Sequence, residues 1–94
     1  MTRIVLYTTP YCGHCRAAKS LLERKGLSYA EIDVSGDFAK REEMVAHAFG
    51  RRTVPQIFID DRHIGGYDEL AQLEREARLD PLLAEFEAMP APVP

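Results

Sequence analysis

Long apolar runs are missing from this chain. The longest unbroken one, Ile4-Val5-Leu6-Tyr7, is far too short to cross a bilayer, so no membrane association is expected. No secretory apolar region is expected either, because Arg3, Pro10 and Gly13 interrupt the first residues. Cysteine is scarce: two in 94 residues exclude a disulfide scaffold. Positive charge is not in excess, since 12 Lys and Arg against 15 Asp and Glu give a net charge of −3, which argues against nucleic acid as a partner. What remains is 46% apolar and 29% charged, an ordinary globular composition. These readings predict one small domain over 1–89, cytoplasmic and monomeric, with a disordered Pro-rich tail at 90–94. Charge is uneven along it, with nine basic and six acidic residues in 1–52 against three and nine in 53–94.

Hydrophobic periodicity supplies the elements. Arg3 to Thr8 reads as a buried strand, and Gly13 to Lys25 as a helix with Ala18, Leu21 and Leu22 on one stripe and Gly26 as its stop. Ala30, Ile32 and Val34 alternate with Glu31 and Asp33 in a half-buried strand, which makes a βαβ unit and a parallel pair. Ser35-Gly36-Asp37 caps a second helix, with Phe38, Val45, Ala48 and Phe49 expected inward and Gly50 ending it. Gln56–Ile59 and Arg62–Ile64 form a hairpin around Asp60-Asp61. Asp68 is expected to cap a third helix running to Leu79, with Leu70, Leu73 and Ala77 inward. Asp80-Pro81 should open a short last helix that buries Leu82, Leu83 and Phe86. The order β-α-β-α-β-β-α plus a C-terminal helix predicts an α/β fold, a mixed four-stranded sheet flanked by helices.

Both cysteines lie in Tyr11-Cys12-Gly13-His14-Cys15, a spacing that chance would give in roughly 2% of such chains. They sit where the first strand hands over to the first helix, at the carboxyl end of a parallel strand. A Cys12 thiolate there gains free N–H groups and the positive end of the helix, whereas Cys15 aligns with Ala18 and Leu22 and faces inward. Cys12 is therefore the expected attacking sulfur and Cys15 the resolving one. An imidazolium at His14 would stabilise the thiolate and tune the redox poise. Structural zinc needs four ligands, and one Cys pair with scattered His14, His47 and His63 falls short. Haem attachment needs His directly after the second cysteine, where Arg16 stands.

With these residues in place the chain resembles the glutaredoxins from Arg3 to about Leu83. The resemblance is carried by Tyr7-Thr8 leading into Cys12-Gly13-His14-Cys15, by Lys40-Arg41-Glu42-Glu43-Met44, by Thr53-Val54-Pro55-Gln56-Ile57-Phe58-Ile59, and by Ile64-Gly65-Gly66-Tyr67-Asp68-Glu69-Leu70. It implies a thioredoxin-like fold with a cis bond before Pro55. It also implies glutathione-dependent reduction of protein disulfides and of glutathionylated proteins. Residues expected to meet glutathione, the co-substrate, are Tyr11, Arg51, Thr53, Val54, Pro55, Gly66, Tyr67 and Asp68. Val54 would offer its backbone as a strand edge for the peptide. Arg51 would meet the glycine carboxylate. The N–H groups of Tyr67 and Asp68 would take the γ-glutamyl carboxylate, and the Asp68 side chain its ammonium.

Two departures from the family pattern stand out. Thr9 replaces a common Lys near the first cysteine, and Gly13-His14 replaces the usual Pro-Tyr. The Gly-His pair, shared with protein disulfide isomerase, is expected to displace the potential toward the oxidising end of the glutaredoxin range of about −200 to −230 mV. No metal is expected for a catalytic dithiol. The resemblance leaves two alternatives: a [2Fe–2S] dimer held by Cys12 of each chain with two glutathiones, and a glutathione-independent thioredoxin-like reductase.

Overall fold

The computed structural model describes residues 3–88, with side chains through Leu83. Strands β1 (Ile4–Thr8), β2 (Ala30–Asp33), β3 (Gln56–Ile59) and β4 (Arg62–Gly65) form one sheet in the order β2-β1-β3-β4. β1 runs parallel to β2 and antiparallel to β3, and β4 returns antiparallel beside β3. Helices α1 (Gly13–Arg24), α2 (Phe38–His47), α3 (Tyr67–Arg75) and α4 (Leu79–Ala88) flank it. The predicted architecture is therefore the observed one. No helix among the described residues is long and apolar enough to cross a membrane. The expected tail at 90–94 and the Phe86 side chain lie outside the described residues.

Strand alternation assigns each core residue to one sheet face. Ile4 and Leu6 of β1 and Ile57 and Ile59 of β3 pack on Ala18, Leu21 and Leu22 of α1, Leu70 and Ala71 of α3, and Leu79 and Leu83 of α4. The intervening Tyr7 and Phe58 point the other way, onto Val34, Met44 and Ala48. The hairpin turn has Asp60 and Asp61 both at positive φ, 50° and 66°, as a two-residue loop with the strand's own twist requires. Arg3 donates to the Leu83 carbonyl at 2.8 Å, tying α4 to the residue that leads into the interior strand β1.

Helix ends account for the places where periodicity misleads. α1 stops as expected: Gly26 takes φ 70°, and Leu27 N–H reaches back to the Leu22 carbonyl at 3.0 Å. α2 stops the same way, but Phe49 itself occupies the left-handed position at φ 56°, with Gly50 N–H bonded to Val45 O. That turn takes Phe49 out of helical phase and leaves it 86% exposed, contrary to the inward placement expected of it. Phe38, at the first residue of α2, is also outward, 76% exposed, and the buried residue of the helix is Met44. In α3 the left-handed residue is Ala77 at φ 56°, so the helix ends at Arg75 rather than Leu79 and Ala77 is exposed rather than inward. Asp80 does not cap α4: the helix starts at Leu79, and Leu82 N–H bonds the Arg78 carbonyl.

Candidate active site

Cys12 is the N-cap of α1, in extended conformation, and its sulfur accepts the Cys15 N–H at 3.1 Å. Serine, threonine and aspartate commonly fill this position because the first helical turn has N–H groups without intrahelical partners. Here the acceptor is sulfur, so the cap is also the candidate nucleophile. The Cys12 carbonyl accepts from Arg16 N–H at 3.1 Å, which closes the first turn. As a thiol, the same sulfur donates to the Val54 carbonyl at 3.6 Å. Cys12 is partly exposed and both cysteines are free thiols.

One turn on, Cys15 is 1% exposed, in line with Ala18 and Leu22 as predicted. Burial first, and the Cys12 sulfur beside it second, push its pKa up to about 12. A Thr9 backbone hydrogen bond and the Lys19 charge, one helical turn away, act against that rise without cancelling it. Lys19 is held 3.0 Å from Glu31, which also accepts from the buried Thr8 hydroxyl at 2.6 Å. The Thr8 hydroxyl first, and Lys19 after it, hold the Glu31 carboxyl below its usual range. The two thiols thus differ in setting, one partly exposed and the other buried and holding its proton.

Beyond Cys12 opens a cleft of about 220 Å³. One wall is the loop before β3, Thr53-Val54-Pro55, with the Val54–Pro55 bond cis as the resemblance implied. The start of α3 adds Gly66, Tyr67 and Asp68 to the lining. His14 and Arg51 also line it, and the His14 ring lies 6.2 Å from that of Tyr67. The structure therefore brings His14, Arg51, Thr53, Val54, Pro55, Gly66, Tyr67 and Asp68 to one cleft. Tyr11 is different: it is 96% exposed and does not line the cleft.

The expected cap of α3 is corrected. Gly66, not Asp68, is the N-cap, so Asp68 sits in the first turn with its N–H and that of Tyr67 at the free helix end. Freed from capping, the Asp68 side chain faces the cleft as an exposed carboxylate. Capping falls instead to Glu69, whose carboxylate accepts the Gly66 N–H at 2.9 Å and pairs with Arg51. The Gly66 N–H first and Arg51 second hold the Glu69 carboxyl below its usual range. Glu69 is a cleft residue that the sequence reading did not name, although Glu three residues after a Gly cap is a recognisable start signal. Its packing dictates Gly65: a Cβ there would lie 2.4 Å from Glu69 Oε1, and φ is +124°. Arg52 turns away to Glu42 at 2.8 Å. Among the described residues no three His, Cys, Asp or Glu gather as a metal site.

Comparison with known proteins follows the same lines. The family model described as glutaredoxin matches residues 4–64. Glutaredoxin 3 of Escherichia coli strain K12 is 51% identical over 83 residues, 88% of this chain and 99% of that protein. The solution structure of a glutaredoxin from Brucella melitensis is 48% identical, with a TM-score of 0.76 over 88% of this chain and 89% of that one. A buckwheat glutaredoxin–glutathione complex is similar at 32% identity and a TM-score of 0.80, covering 94% of this chain and 82% of that chain.

Proposed function

Because the chain belongs to the glutaredoxin family, whose members are thiol–disulfide oxidoreductases, we propose that it reduces glutathionylated proteins and protein disulfides with glutathione as co-substrate. The observation that carries this reading is the cleft itself. It adjoins Cys12 through Val54, whose carbonyl lies 3.6 Å from the Cys12 sulfur, and gathers that peptide edge with the helix start at Gly66–Asp68. Glutathione is a γ-linked tripeptide with an ammonium and a carboxylate at one end and a second carboxylate at the other. The Val54 backbone suits its peptide, the free N–H groups of Tyr67 and Asp68 its γ-glutamyl carboxylate, and the Asp68 carboxylate its ammonium. That a buckwheat relative is known in complex with glutathione supports the same ligand here.

The chemistry follows from the two sulfurs. The Cys12 thiolate attacks the glutathione sulfur of a mixed disulfide, and the protein thiolate leaves and takes up a proton. A second glutathione thiolate attacks the Cys12–glutathione bond, releasing oxidised glutathione and restoring Cys12. With a protein disulfide, Cys12 forms a mixed disulfide with one protein sulfur. Cys15, after losing its proton, then attacks Cys12 and closes the internal disulfide, which two glutathiones reduce. His14, at the cleft mouth, tunes the balance between dithiol and disulfide. This cycle fits a monomer in a reducing compartment such as the cytoplasm. The comparisons favour neither a [2Fe–2S] dimer nor a glutathione-independent reductase.

A glutathione-coupled turnover assay tests the reading. Cys12→Ser should abolish turnover. Cys15→Ser should keep reduction of a glutathionylated peptide and lose most reduction of a protein disulfide. Asp68→Ala should raise KM for the glutathionylated peptide about ten-fold, near the lower end of the worth of one charged hydrogen bond, with little change in kcat. Turnover of wild type that is indifferent to glutathione would overturn the reading.

A further inference from the structure

Behind the Thr53–Pro55 wall runs a hydrogen-bond chain that the mechanism above does not use. Gln56, the first residue of β3, is 0% exposed. Its Nε2 donates to the Thr53 carbonyl at 2.9 Å and to Thr53 Oγ1 at 3.1 Å. Its Oε1 lies 2.6 Å from Nε2 of His63 on β4. These contacts fix both groups without ambiguity. The Thr53 carbonyl can only accept, so the amide nitrogen must face it and the amide oxygen must face His63. An oxygen there requires a donor, so His63 carries its proton on Nε2.

The imidazole is held in place from several sides. Its ring centroid lies 5.2 Å from that of Phe58 and 5.6 Å from that of Phe49. Burial first, and the Arg51 charge second, hold its pKa below the ordinary imidazole range, with Glu69 pulling the other way. Protonation would add a hydrogen at Nδ1 and leave the Nε2 donor in place, so the link to Gln56 does not depend on the ring's charge.

We propose that His63, acting through the buried Gln56 amide, is a positioning residue that holds Thr53 and so presents the Val54 backbone to the cleft beside Cys12. The loop is short and Thr53 is exposed, and no regular sheet ladder holds its carbonyl. The Gln56 amide supplies the missing partner from inside, and His63 keeps that amide from rotating. Val54 is the next residue, its carbonyl 3.6 Å from the Cys12 sulfur, so a tilt of the Thr53 peptide alters where an incoming peptide can pair.

The inference rests on the glutathione reading, and its test separates the two. His63→Phe keeps a ring but removes the donor, whereas His63→Gln keeps an N–H at similar reach. With a glutathionylated peptide as substrate, His63→Phe should raise KM about five-fold, the worth of one net hydrogen bond, and leave kcat within about two-fold. His63→Gln should restore KM. Loss of general stability would lower the active fraction and not KM, and thermal melting records it separately. Thr53 and Val54 amide resonances of the free protein give a second readout, expected to move in His63→Phe and to stay near wild type in His63→Gln. An unchanged KM in His63→Phe, or equal impairment in both variants, overturns the proposal. Should wild type itself show no dependence on glutathione, the function reading fails, and the Thr53 and Val54 resonances alone decide the role of His63.

Discussion

The two faces of the sheet are built differently. The face under α1, α3 and α4 is closed: aliphatic side chains from two strands and three helices bury one another almost completely. The face under α2 is thin, with Met44, Ala48 and Val34 against Tyr7 and Phe58, and with Phe38 and Phe49 left in solvent. On the closed side Cys15 is sealed in place. On the thin side the core gives way to rings and polar groups, His47 and His63 against Phe58 and Gln56 against Thr53, which lead to the cleft. The closed face fixes where the sulfurs are, and the thin face shapes what can approach them.

The sharpest way to break this contrast is a cavity on each side. Leu22→Ala, fully buried between sheet and helices, should cost about 3–4 kcal/mol, within the range of such truncations. For a domain this small that lowers Tm by roughly 12–30 °C. Met44→Ala should cost less, about 2 kcal/mol, because its neighbours on the α2 side can close inward. Paired urea titrations giving equal losses would mean the faces are equally packed.

Alkaline pH probes the sealed side. Cys15 has its folded pKa raised from an ordinary 9.0 to about 12, so both folded and unfolded thiols are neutral below pH 9 and no penalty exists there. Above that the unfolded thiol ionises while the folded one does not, and stability falls by up to about 1.4 kcal/mol per pH unit until pH nears 12. Urea unfolding of wild type and Cys15→Ala between pH 8 and 10 should show a loss in the first that the second lacks.

The smallest expected effects are at the helix ends. Ala77→Gly should stabilise by about 0.5–1 kcal/mol, since glycine holds the left-handed turn without a Cβ. Phe49→Gly should gain less, because the Phe49 ring also lies against His63. Thermal melts of the two variants place the thin face's exposed ring on a stability scale, and a larger gain at Phe49 would show that its ring contributes nothing.

Much of this was legible from the chain, for physical reasons that also mark where reading fails. Strand alternation in Ile4–Thr8 and the stripe of Ala18, Leu21 and Leu22 placed the closed core, because burial imposes those periods. Cys12 and Cys15 separated correctly because one helical turn decides which points inward. Phe49 and Ala77 went astray because a left-handed turn is usually read from glycine, and neither residue is one. Gly66 capping α3 was hidden for the opposite reason: Asp68 offered a more conventional cap, and only the fold shows Glu69 reaching back. Gln56 looked like an ordinary strand residue, because nothing local reveals that a strand-start amide meets His63 across a hairpin.

The pairing of Arg51 with Glu69 has a consequence for any ligand that brings its own carboxylate to that guanidinium. Association there is an exchange reaction, in which the newcomer displaces a tethered rival whose effective concentration is on the order of millimolar. A simple anion such as acetate competes there only above that concentration, whereas a molecule anchored elsewhere in the groove carries the advantage of its own tether.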